Sequence, residues 1–432
     1  MFRGWLQLGQ TEIANTSRCV RYMLAGVRNG TTTIETDDGW ADLWRWLGRD
    51  SDYDTPWTDD DCPWFDRSNP ASTEFAGVWV LSVDGVDAAP MERDVINAAK
   101  VGGGFGVTRT PPRKMKFEAL VIGGTPAGLE YGLGWLSGVL RDDVCKGDEQ
   151  PRKLMFLQSA PAHDPRATAE QVQRLGNAQA RMFERVALTS QVEVKERLSP
   201  WVFERKQATM ARVEFELTAA VPWAFSLPTR LVSGLQPYWG ENDTVRFENV
   251  GEDGSCPSQC SVQPTMLVDP RAPKFVSVPR SVTPAVEAGC QPFESRRLTW
   301  VLEEGRLPAW GESMPTVVLR AGAQDERNVR IQWVEGKPRG EQDIACASVG
   351  EAMIAYVPAR SRLTLDAVTG LATCITADGR ELDASHLVTG RMGGPWRQPV
   401  LRCGREYSLL IDAERTVSSS FMVDVDSVVR AA

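Results

Sequence analysis

The sequence predicts a mainly β fold with a few helices (α+β). An N-terminal domain of strands with one packed helix is expected over 1–225, and a C-terminal β-sandwich over 226–432. Three observations carry that prediction. Apolar and polar side chains alternate with the two-residue period of a half-buried strand in short runs along the whole chain. One long segment, 126–141, instead repeats its apolar residues at helical spacing. A composition break near Val221-Pro222 leads to a proline-rich arm at 251–292. The seven prolines between Pro257 and Pro292 are too many for a helix or sheet interior.

Residues 1–38 alternate in short groups and are expected to form strands and turns, with Asn29-Gly30 as a hairpin signal. From Gly39 to Asp66 runs an acidic insertion in which Trp40, Trp44, Trp46, Trp57 and Trp64 stand among Asp50, Asp52, Asp54, Asp59, Asp60 and Asp61. The first three of these Asp are spaced like a calcium loop. Thr55 stands where that loop needs Gly and Asp61 where it needs Glu, so the segment reads as a solvated acidic loop. Strands are expected at 75–86, 117–122, 153–158 and 212–217. Between them, Thr125 as N-cap and Pro126 at the first helical position open a helix whose Leu129, Leu133, Leu136, Val139 and Leu140 share a face. Thr168 with Gln171 suggests a capped short helix. Beyond the arm, Val329, Ile331 and Trp333 alternate with polar residues, and strand patterns recur at 352–357, 361–366, 371–376, 407–411 and 421–425. Asp378-Gly379 marks a hairpin, and such spacing means a sandwich or barrel.

Composition narrows the function classes. The 432 residues are 42% hydrophobic with 15 Trp, which fits a globular chain of more than one core. An excess of 57 acidic over 48 basic residues gives a net charge of −9, against a dedicated nucleic-acid binder or a basic membrane-surface protein. No run of about eighteen apolar residues predicts a membrane span, and the start lacks a secretory h-region, so synthesis in a cytoplasm is expected. His163 and His386 are the only histidines, too few for a zinc site built on several imidazoles. Ser385 and His386 are neighbours on an extended chain, point to opposite faces and make no dyad. Among nine cysteines, Cys256, Cys260 and Cys290 cluster in the proline-rich stretch without a fourth metal ligand.

Ala119–Glu130 looks like the flavin-binding start of a dinucleotide domain, with a strand before it and a helix after. Gly123 and Gly128 match the glycine pattern. Thr125 occupies the middle position, where backbone must approach phosphate, so a strand leading into a Thr-capped helix accounts for the segment without a cofactor. Gly102–Gly106 reads as a flexible turn.

Five segments carry a family resemblance in order along the chain: residues 62–77 (CPWFDRSNPASTEFAG) running on into 78–86, 356–360 (YVPAR), 363–366 (LTLD), 383–390 (DASHLVTG) and 393–404 (GGPWRQPVLRCG). With these the chain resembles the distal tail or minor tail proteins of long-tailed, siphovirus-type phages of actinobacteria. The resemblance implies a structural virion protein at the phage tail tip, without catalytic residues, cofactor or metal. It implies an N-terminal domain that assembles with itself into a six-fold ring, and a galectin-like C-terminal sandwich outside that ring. The partners it implies are the tail tube protein, tail-tip and tail-associated proteins, and fibres. Insertions at 39–66 and 164–180 fall outside the family pattern. In a virion that leaves the reducing cytoplasm, a disulfide joining Cys290 to Cys256 or Cys260 is expected to lock the proline-rich arm. Two other function classes are carried beside this one: a carbohydrate-binding module, with Trp310 and Trp396 as sugar-stacking residues, and a flavin- or nucleotide-dependent oxidoreductase.

Overall fold

A computed structural model describes residues 1–25, 39–49, 53, 55–58, 62–97, 101–141, 152–198, 209–239, 241–247, 291–309, 311–338, 343–344, 347–390, 394–397, 399–414 and 416–431. The chain is mainly β and divides into two compact units, Met1–Leu227 with Ala431–Ala432, and Pro228–Arg430. The Asn29-Gly30 hairpin, Trp310, Cys256, Cys260 and Cys290 lie outside the described residues.

The first unit is built on a long antiparallel ladder. Strands β1 (Trp5–Leu8), β2 (Thr11–Asn15) and β3 (Phe75–Asp84) precede a short hairpin of β4 (Val95–Asn97) and β5 (Gly103–Phe105). Next come β6 (Arg113–Gly123), β7 (Arg152–Leu157), β8 (Ala180–Leu188), β9 (Glu193–Arg197), β10 (Thr209–Ala219) and β11 (Ala224–Ser226). β6 and β10 pair along their whole lengths, from Thr209 opposite Gly123 to Ala219 opposite Arg113. Along β10 every second residue is buried, so Ala211, Val213, Phe215 and Leu217 enter the core while Arg212, Glu214 and Glu216 stay outside. Phe117 and Phe215 stack across the ladder at 5.1 Å. Among the described residues four helices accompany the sheet: α1 (Thr16–Ala25), α2 (Leu43–Trp46), α3 (Pro126–Leu140) and α4 (Ala169–Gln179).

Three expectations are corrected in this unit. Residues 16–25 form helix α1, not strand: Asn15 Oδ1 accepts the backbone N–H of Arg18 at 3.3 Å and so opens the helix, and Arg18 is one of its buried residues. Polar lettering therefore hid a core-facing side. Gly103–Phe105 is a strand paired with Val95–Asn97 where a flexible turn was expected. The tryptophans of 39–66 do not stand in a solvated loop. Trp40, Trp44, Trp46 and Trp64 are buried, and Trp57 alone of the five is exposed.

The reason lies in the second insertion. Trp46 packs edge-on against Trp5 at 5.1 Å and lies against Gly176 of α4, where a Cβ would meet its ring at 2.3 Å. Its indole N–H donates to Asn177 Oδ1 at 2.9 Å. Arg45 donates to the carbonyl of Ala167, and Asp42 holds both Arg45 and His163. Segments 39–46 and 163–180 thus form one accessory layer, sharing a core of Phe2, Trp5, Trp40, Leu43, Trp46 and Val172. The capping box of Thr168 and Gln171 starts its helix.

Among the described residues the second unit is two antiparallel sheets that share a main core, with a smaller cluster of Val334, Ile344 and Leu410 beside it. One sheet runs β12 (Thr229–Leu235), β23 (Met422–Ala431), β15 (Glu312–Arg320), β18 (Arg362–Leu365), β19 (Ala372–Ile375) and β20 (Glu381–Asp383). The other runs β13 (Glu241–Phe247), β14 (Gln291–Leu302), β22 (Tyr407–Glu414), β16 (Glu326–Glu335), β17 (Ser348–Val357) and β21 (Val388–Thr389). Val317, Leu363 and Val425 from the first sheet share a core with Ile331, Trp333 and Ile411 from the second. Gly379, at φ +81°, makes the hairpin turn between β19 and β20.

The accessory layer yields a stability prediction. Trp46→Ala removes a buried ring and the bond to Asn177, and is expected to cost about 3–5 kcal/mol in urea unfolding. Hydrogen exchange should show α4 losing protection before the β6–β10 ladder. Equal loss in both would contradict a distinct layer.

Candidate functional site

The helix start at Gly123–Gly128 is a packing device. Thr125 Oγ1 accepts the backbone N–H of Gly128 at 3.1 Å and donates to Glu74, while Pro126 occupies the first turn. Each glycine has a local steric reason. A Cβ on Gly128 would stand 2.2 Å from the carbonyl O of Glu74, one on Gly124 would stand 2.7 Å from the Tyr22 hydroxyl, and one on Gly132 would meet the Phe75 ring at 2.4 Å. These contacts bring α3 onto β3 and β6 in the way that the third glycine of a dinucleotide motif brings helix to strand.

The segment 62–77 does similar work. Trp64 lies against Phe75 and Trp135 at 4.9 and 5.5 Å, donates its indole N–H to the carbonyl of Phe75 at 3.1 Å, and offers its own carbonyl to Tyr131 at 2.7 Å. Asn69 caps the short helical turn Pro70–Glu74. Gly77, at φ +129°, lies where a Cβ would press on Cys19 Sγ and the Trp64 ring. The Cys19 thiol is pushed up to about 12 by burial first and then by the charge of Glu12, so it is held protonated.

Buried charges are neutralised in place. Arg18, fully buried, donates Nε to Glu12 at 2.7 Å, and its guanidinium lies over the rings of Trp44 (5.0 Å) and Tyr53 (4.7 Å). Glu12 also receives Trp5, Asn15 and Arg49. In the second unit Asp412 accepts from Arg297 at 2.6 Å and from Arg330 at 2.8 Å across three neighbouring strands. Burial acts to raise the pKa of Asp412, but the two guanidiniums outweigh it and hold the carboxyl below its usual range.

His163 Nδ1 meets Asp42 at 2.7 Å and pins the accessory layer, while His386 lies in the helical turn Ser385–Leu387. Ser385 serves that turn through the carboxylate of Asp383. Among the described residues, no group of three or more His, Cys, Asp and Glu is placed to hold a metal ion. A groove of about 730 Å³ between α1 and the 39–44 segment is lined by Thr16, Arg21, Leu24, Trp40 and Trp44. The sugar-stacking role of Trp396 is corrected: the ring is 5% exposed and packs in the core of the second unit, so neither face is offered to a ligand.

One carboxyl in the second unit is poised to titrate. Glu326 is 4% exposed and accepts the backbone N–H of Ser418 at 3.1 Å. Burial, reinforced by the charges of Glu414 and Asp325 and opposed by the Ser418 bond, raises its pKa from 4.5 to about 7. Sequence reasoning missed it because Glu414 and Ser418, about ninety positions further along the chain, are brought to it only by the fold.

Two predictions follow from these geometries. Thr125→Ala should lower stability by about 1 kcal/mol in denaturant unfolding, with Thr125→Ser close to wild type; added dinucleotide should leave the melting temperature of the wild type unchanged. Because Glu326 binds its proton more tightly when folded, its stabilising contribution is complete below about pH 4.5 and is lost as pH rises through 7. Glu326→Gln should therefore flatten the fall in melting temperature between pH 5 and 8. An unchanged slope would show that Glu326 does not titrate there.

No family model matches this sequence, and no curated protein matches it. Solved structures similar to it include the SPP1 Dit protein, described as a paradigm of the hub adsorption apparatus in phages infecting Gram-positive bacteria. It is 12% identical with a TM-score of 0.38, over 84% of this chain and 96% of that one. A chain of the phage p2 baseplate in its activated conformation with strontium is 6% identical with a TM-score of 0.35, over 85% and 93%. A chain of the corresponding baseplate with calcium is 6% identical with a TM-score of 0.30, over 82% and 94%. At these identities and TM-scores, none of them assigns a function.

Proposed function

We propose that this chain is a structural virion protein at the distal end of the tail of a long-tailed actinobacterial phage. In this reading six copies assemble in the host cytoplasm into a ring built from the first unit. The ring joins the tail tube protein to tail-tip proteins and fibres, and the second unit lies outside it as a galectin-like sandwich.

The observation that supports it most is the ordered series of family-like segments, 62–77, 356–360, 363–366, 383–390 and 393–404, taken with the work their residues do. Trp64, Asn69 and Gly77 set turns and close packing. Tyr356 donates its hydroxyl to Asp325, and Gly390 lies where a Cβ would meet the carbonyl of Pro395 at 2.7 Å. Such residues set a shape, which is what a ring component has to supply. The buried ion pairs fit the same role, since they fix strand positions and leave their charges spent.

The native mass of the purified full-length chain tests the ring. A six-chain mass in light scattering, with six-fold symmetry in negative-stain images, is the expected result. A strict monomer at every concentration, or a different closed symmetry, would overturn it.

A further inference from the structure

Residues 87–97 and 101–110 leave the first unit's sheet as the paired strands β4 and β5, extended by a bridge between Glu92 and Arg109. Met91, Val95, Ile96, Val101, Phe105 and Val107 on this arm are 63–91% exposed. Val95 and Phe105 are directly opposed and share one face; Ile96, the next residue, points to the other. The arm is therefore apolar on both faces. Arg93 lies over the Phe105 ring at 5.8 Å. Neither outer edge of the hairpin pairs with another strand among the described residues. Six exposed apolar side chains on one short arm make the kind of patch that marks a protein–protein contact. Left bare, such a surface invites aggregation.

The same unit carries a matching receptor. β9 is bonded along one edge to β10, and among the described residues nothing pairs with its other edge. Val194 and Leu198 are 40% and 42% exposed there. Charge favours a meeting of like chains at these two surfaces. Across residues 87–110 Asp87, Glu92 and Asp94 balance Arg93, Lys100 and Arg109, and on β9 Glu193 and Glu196 balance Lys195 and Arg197, within a chain of net charge −9. Two copies can thus touch here without the repulsion of their overall charge. With three acidic residues against three basic ones, the arm has no net positive charge to hold it to an anionic membrane.

We propose that the arm of residues 87–97 and 101–110 is an intermolecular clasp, adding as a strand to the free edge of β9 in a second copy, with one of its apolar faces beside Val194 and the other beside Leu198. Main-chain bonds supply affinity and the alternating side chains fix the register. Arm and receptor are different surfaces, so the contact runs head to tail, and a head-to-tail contact closes into a ring when its rotation allows. The clasp rests on the ring reading above and assigns that ring its contact.

Sedimentation velocity of the full-length chain and its Phe105→Asp and Val194→Asp variants tests the clasp. All three should share one circular dichroism spectrum, because both positions are exposed. The wild type should assemble, and each variant should associate at least tenfold more weakly. Mixing the two variants should yield dimers and nothing larger, since each retains one intact half of the contact. A wild type that never assembles overturns clasp and ring together. Assembly unchanged in Phe105→Asp overturns the clasp and leaves the ring standing. Loss in Phe105→Asp with none in Val194→Asp overturns β9 as the receptor.

Discussion

A charge inside an apolar core has to be neutralised where it sits, and the first unit is organised around one such charge. Arg18 is fully buried on α1, so Glu12 of β2 must meet it and the rings of Trp44 and Tyr53 must enclose it. That requirement ties together the first hairpin, the first helix and the tryptophan-rich segment. Removing one partner of such a pair costs about 3–5 kcal/mol, because the other is left uncompensated. From this anchor the layering follows. Trp44 and Trp46 belong to one short helix, and Trp46 carries the contact with α4. The second unit meets the same constraint through Asp412, held by arginines from the two strands that flank its own.

What the sequence made legible was whatever is decided locally. The alternation of β10 reports a buried face because each residue's neighbour alone shows the period, and the ladder with β6 extends the same pattern. Helix α3 could be placed from Thr125, Pro126 and an apolar stripe, since caps act within one turn. The capping box of α4 was readable for the same reason.

What stayed hidden depends on partners remote in the chain. The core role of Trp46 rests on Asn177 and Gly176, some 130 positions away, so its acidic surroundings suggested a solvated loop. Arg18 disguised a helix face because a buried arginine reads as solvent-facing until its carboxylate is known. Trp396 looked available to a sugar, and only the packing of the second unit shows its ring enclosed. The raised pKa of Glu326 likewise needs Asp325, Glu414 and Ser418 brought to one place. The glycines at 123–128 were misleading in the opposite sense: a motif associated with phosphate is spent on helix–strand contact.

On the proposed function the chain is a part of a tail rather than an agent of turnover, and its specificity lies in its surfaces. Electron microscopy of intact particles labelled with an antibody against the second unit tests that claim most directly. The account predicts gold at the end of the tail farthest from the head, where tube meets tip. Label on the head, along the whole tube, or absent from the particle would contradict it.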